Sequence, residues 1–149
     1  MRALVRIVRW GLIKFGIIPR PDFLARKVSE HPISDSIETG CIYIVGGKDY
    51  QKWAYFRCPK HDEEIIKLSL MPNHRPRWAI HVDFIERPTI IPSVRQLDGS
   101  FCHFWLKKGR VDWCFDSGIQ RAENFLQAVI SPLVGFQIYC CLNLANLLL

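Results

Sequence analysis

The chain has 149 residues, enough for one domain around a single modest core. Its net charge of +6 lies wholly in residues 1–27, where Arg2, Arg6, Arg9, Lys14, Arg20, Arg26 and Lys27 face Asp22 alone, and the rest of the chain carries acids and bases in equal number. A strongly basic folded body of the kind that binds nucleic acid is thereby excluded. The six cysteines, at 41, 58, 102, 114, 140 and 141, are too sparse and irregular for a secreted disulfide scaffold. They suit a reduced, cytoplasmic protein in which cysteines near histidines act as metal ligands.

Residues 1–17 read as a short basic amphipathic helix. At 100° per residue Arg2, Arg6 and Arg9 share a stripe, and Leu4, Val5, Ile7, Val8, Leu12 and Phe15 cover most of the rest, with Trp10 at the border. Arg6, Arg9 and Lys14 interrupt any signal-peptide core. The helix is expected to pack on the domain or on a partner, with an anionic membrane surface as the alternative. Residues 18–39, with Pro19, Pro21 and Pro32, read as a linker.

From Gly40 the pattern turns to strands. Cys41–Val45 and Lys52–Cys58 flank a turn at Gly46–Asp49, and Glu64–Leu70 follows with alternating apolar residues. Trp78–Ile85 alternates most clearly. Pro88 and Pro92 bracket Thr89–Ile91 and predict an edge or irregular strand. Phe101–Leu106 and Val111–Cys114 form a hairpin around Lys107–Arg110. The expected class is mainly β (α+β overall): a small antiparallel meander or barrel over residues 40–118. Residues 119–149 form an apolar, helical tail. Its last twenty residues are long enough to span a bilayer, to pack as a buried helix, or to stand outside the ordered domain.

The hairpin supplies the chemistry. With the turn at Lys108–Gly109, His103 faces Cys114, and directly opposed residues on one sheet face lie roughly 4.5–5.5 Å apart at Cβ. Zinc takes Cys and His ligands in pairs, and Cys58-Pro59-Lys60-His61 offers the second pair. The expected site is a structural zinc held by Cys58, His61, His103 and Cys114. A three-residue loop would shift the register and substitute Cys102 for His103. His81, Asp83 and Ser93 resemble the members of a triad in type only. Nothing in the sequence places Ser93 on a nucleophile elbow or beside an oxyanion hole, so these residues read as a polar strand edge. Asn73–Trp78 mixes basic and aromatic residues but reads as an exposed loop, and no glycine-rich phosphate loop is present.

The runs QKWAYFRCPKHDEEIIKLSL, RPRWAIHVD, PTIIPSVRQLDG, CHFWLKKGRVDWC and DSG resemble an uncharacterised bacterial family of small Cys/His proteins. Its members carry a domain-of-unknown-function label and at times the name ammonia monooxygenase. The resemblance covers about Gly40–Gly118. It implies a zinc-binding β domain, and some members are encoded beside ubiquitin-like proteins and their conjugation enzymes. Cys58, His103 and Cys114 match the family pattern. His61 stands as a substitute ligand where the family is richer in cysteine, and Ser100 replaces a frequent cysteine. The expectation that follows is a non-catalytic, zinc-stabilised binding or accessory module, acting with a bacterial ubiquitin-like conjugation system and a protein partner, cytoplasmic or membrane-associated. The alternatives are a zinc-dependent hydrolase with an open coordination site and a nucleic-acid-binding zinc module.

Overall fold

The computed structural model describes residues 2–47 and 50–119, and the backbone of 138–139. Chain order runs α1 (Arg2–Lys14), β1 (Leu24–Val28), a 3-10 turn (Ser34–Ser36), β2 (Cys41–Gly46), β3 (Gln51–Arg57), β4 (Ile65–Ser69), β5 (Ala79–Val82), β6 (Pro88–Gln96), β7 (His103–Lys107), β8 (Arg110–Trp113) and β9 (Ile138–Tyr139). The strands make two sheets, β1-β2-β3-β4 and β5-β6-β7-β8, with β9 beside β6. The mainly β class and its meander order hold. The barrel alternative does not, because the two sheets remain separate.

Alternation explains which faces meet. Ile42 and Ile44 on β2, Ala54 and Phe56 on β3, and Ile66 and Leu68 on β4 turn inward from the first sheet. Ile90, Val94, Phe104 and Leu106 answer from the second. Phe56 and Phe104 meet edge to face across the core, with ring centroids 6.5 Å apart. The β7–β8 register is the expected one, with Lys107 opposite Arg110 and Phe104 opposite Trp113. Both turn residues, Lys108 and Gly109, have positive φ, as a two-residue type I′ hairpin requires. A Cβ on Gly109 would stand 2.6 Å from the Phe23 carbonyl oxygen, because the amides of Asp22 and Phe23 both donate to the Gly109 carbonyl.

Three elements depart from expectation. The linker contains β1, which joins the sheet parallel to β2. Its sequence, LARKV, places two cations among three apolar residues, so period 2 is blurred. The strand expected at Trp78–Ile85 stops at Val82. Asp83 Oδ1 there accepts from the amides of Ile85 and Arg87, a side-chain turn that reverses the chain and leaves Phe84 exposed. The irregular strand around the prolines is the long, central β6, flanked by β5 and β7. Its register shifts between Ile90 and Val94, around a cis Ile91–Pro92 bond.

Helix α1 ends at Lys14, and Gly16 (φ 70°) takes the left-handed position that suits glycine just past a helix. The helix meets the body through Arg9, whose Nη1 donates to the Ile85 carbonyl and to Glu86 Oε2, both at 2.8 Å. Among the described residues no helix is long and apolar enough to cross a membrane. Apart from Ile119 and the backbone of 138–139, the apolar tail lies outside the described residues.

Candidate active site

Strand geometry builds a cluster between β6 and β7. Arg95 and His103 are paired across the two strands. Ser93, two residues before Arg95, shares its face, which sets Ser93 diagonal to His103, within reach of an imidazole. The Trp78 indole N–H donates to the Ser93 carbonyl at 3.3 Å and pins the strand there. His103 Nε2 lies 3.1 Å from Ser93 Oγ.

The turn after β8 completes the cluster. The Cys114 amide donates to the His103 carbonyl at 2.9 Å, the Gly118 amide to the Phe101 carbonyl at 2.8 Å, and the His103 amide to Ser117 Oγ at 3.1 Å. These bonds carry Asp116 back over the start of β7, with its Oδ1 at 2.5 Å from His103 Nδ1. Arg95 Nη1 donates to Asp116 Oδ2, and Arg95 Nη2 donates to the Ile119 carbonyl at 3.0 Å.

These partners fix the proton positions. A carboxylate only accepts, so Nδ1 carries the hydrogen and donates to Asp116, and Nε2 is left to accept from the Ser93 hydroxyl. Burial opposes ionisation of Asp116, but the bonds from His103 and Arg95 prevail and hold its carboxyl below the usual carboxylate range. All four side chains are buried, Ser93 to 1% exposure. The chain Asp116–His103–Ser93 has the connectivity of a nucleophile, its general base and the carboxylate that orients the base.

The four expected zinc donors are not gathered at one point. His103 and Cys114 do meet, and with Asp116 their ligand atoms lie within 4.8 Å of one another; no such group among the described residues includes Cys58 or His61. The His103 set fits a cation poorly. The Arg95 guanidinium stands 3.3 Å from His103 Nδ1, already bonded to Asp116, and its fixed positive charge beside the set disfavours a cation there. His61 is exposed. Cys58 turns instead to Cys102, the alternate ligand, with sulfurs 3.0 Å apart and both residues fully buried. The hydrogen bond from Cys102, helped by the Lys60 and His61 amides against burial, pulls the Cys58 thiol down to about 6. The same bond and burial push Cys102 up.

Of the three residues weighed as a triad, only Ser93 enters the cluster. His81 is exposed, and Asp83 serves the β5–β6 turn and an ion pair with Arg87 at 2.8 Å. Ser93 is not the polar strand edge the sequence suggested but is 1% exposed, and its partners His103, Asp116 and Arg95 were not singled out with it. The available signals were the two-residue spacing of Ser93 and Arg95 and the DSG turn closing the hairpin.

No curated protein and no solved structure matches the chain. A family described as the bacterial ubiquitination-like system serine protease, BubE, matches residues 28–114. That span takes in Ser93 and His103 and ends just before Asp116. The match overturns the expectation of a non-catalytic module and of a non-enzyme, since the family is named for catalysis. It upholds the expected tie to a bacterial ubiquitin-like system. With more than half its length matched, the chain belongs to the BubE family of bacterial ubiquitination-like system serine proteases.

Proposed function

We propose that the chain is a serine peptidase whose nucleophile is Ser93, whose general base is His103 and whose orienting carboxylate is Asp116, with Arg95 as a positioning residue. The hydrogen-bonded series Asp116–His103–Ser93 carries the proposal. Ser93 Oγ attacks an amide carbonyl while its proton passes to His103 Nε2. The imidazolium, stabilised by Asp116, then gives that proton to the departing amine. Water, activated by the same nitrogen, releases the acyl group from Ser93. Family membership points to peptide or isopeptide bonds made to a ubiquitin-like protein as the substrate class.

Arg95 contributes by holding Asp116 Oδ2, so the carboxylate cannot rotate out of line with His103. Because Ser93 is buried, a substrate reaches it only when the side chains over it move aside. Labelling of the native protein with a fluorophosphonate, followed by peptide mapping, tests the assignment. The label is expected on Ser93 and is expected to be absent from folded Ser93→Ala and His103→Ala variants. A wild-type protein that resists the reagent, or a label that persists in Ser93→Ala, refutes it.

A further inference from the structure

Surface helices of globular proteins turn their apolar stripe toward the core. Helix α1 does the reverse. Its anchor is Arg9, 9% exposed and held by Ile85 and Glu86. On the opposite side, at 100° per residue, lie Leu4, Ile7 and Gly11, with Phe15 just past the end and Trp10 and Val8 at the borders. Leu4 and Ile7 are each 66% exposed, Trp10 61% and Phe15 79%, and Ile17 extends the patch. The charges around it are of one sign. No acid occurs before Asp22, Arg6, Lys14 and Arg20 are exposed, and Lys14 Nζ lies 4.7 Å from the Trp10 ring centroid.

We infer that α1 is a docking element for an anionic lipid bilayer, lying in the interface with Leu4, Ile7, Trp10 and Phe15 among the acyl chains. An exposed apolar face with Lys14 and Arg6 along one flank, and a tryptophan between them, suits headgroup depth. A protein partner or a second copy would need an acidic rim around an apolar groove to match this charge. A bilayer containing anionic lipid supplies both properties at once. The Arg9 anchor fixes the helix so that its apolar side faces away from the body, which holds the peptidase domain above the surface.

Sedimentation of the full chain with vesicles tests the inference. Binding to phosphatidylcholine vesicles that contain phosphatidylserine should exceed binding to phosphatidylcholine alone and should weaken with salt. It should be lost in Ile7→Glu/Trp10→Glu, both exposed positions whose change leaves the circular dichroism spectrum and fluorophosphonate labelling as in the wild type. Arg6→Gln and Lys14→Gln should each lower the partition roughly fivefold, the worth of about one basic group near an anionic surface. Equal binding to both vesicle types, absence of wild-type binding, or binding retained in the double glutamate variant would overturn the inference. So would a dimer that the double variant dissociates while vesicles bind neither form. Serine labelling is read separately, so a failure here leaves the peptidase assignment standing or falling by its own test.

Discussion

Replacing Asp116 with asparagine changes a few atoms and should inactivate the site through a proton. Arg95 offers only N–H donors, so its contact with Asp116 obliges the new amide to turn its oxygen toward the guanidinium. The amide NH2 then faces His103 Nδ1, at the position where Asp116 Oδ1 accepts at 2.5 Å in the wild type. Two donors cannot share a hydrogen bond, so Nδ1 must lose its proton and Nε2 must carry it. In that tautomer Nε2 points an N–H at Ser93 Oγ, 3.1 Å away, and has no lone pair to accept the serine proton. A wrong tautomer in a Ser-His-Asp arrangement lowers kcat by about 10,000-fold, near 5 kcal/mol of transition-state stabilisation at 1.36 kcal/mol per tenfold. The buried Arg95 also loses its counter-charge, which costs about 3 kcal/mol of stability. The assay is the rate of fluorophosphonate labelling of Ser93 under conditions where thermal unfolding shows both proteins folded. A folded Asp116→Asn variant labelled within tenfold of the wild-type rate would refute the proposed roles of Asp116 and Arg95.

Arg95→Met should leave Ser93 and His103 in place but free Asp116 to rotate, lowering kcat more than it raises KM; equal changes in both would point to substrate contact. The carboxyl of Asp116 sits below its ordinary value of 3.8, so its contribution to stability is full above the unfolded value and is lost as pH falls through the lower, folded one. Denaturant titrations of wild type and Asp116→Asn below pH 4 should therefore converge, and curves that stay parallel would contradict the linkage. Because the Arg95 guanidinium stands beside His103 and disfavours a second cation there, metal analysis of Cys114→Ser should match the wild type, and its serine labelling should be unchanged. A zinc equivalent lost with Cys114 would restore the metal reading. Gly109→Ala meets both a positive φ of 77° and the Phe23 carbonyl oxygen at 2.6 Å, and should cost about 2 kcal/mol in urea unfolding.

The legibility of the chain follows its periodicity. The β7–β8 hairpin could be read to the residue because a glycine turn and strict alternation determine register together, and that register brought His103 to Cys114 as expected. Strand β6 could not, because Pro88, Pro92 and the register shift between Ile90 and Val94 hide the alternation that puts Ser93 and Arg95 on one face. Asp116 lies in a turn, where no period exists to mark it. His81 drew attention because it alternates with Asp83 along a strand pattern. The pattern ended early when Asp83 capped the turn amides. Cys58 and Cys102 were both visible as thiols, but their approach depends on how the two sheets face each other, which no local pattern records.

The proposed active site lies within one contiguous meander, from Ser93 on β6 through His103 on β7 to Asp116 after β8. Contacts this local close small loops and form early and cheaply in chain entropy. They also open together as a cooperative unit. Amide exchange across β6, β7 and the following turn should thus report on catalytic competence directly, protection and activity falling in step as temperature rises. A change in the first sheet, such as at Phe56 where it packs on Phe104, should reach the serine by loosening this unit as a whole.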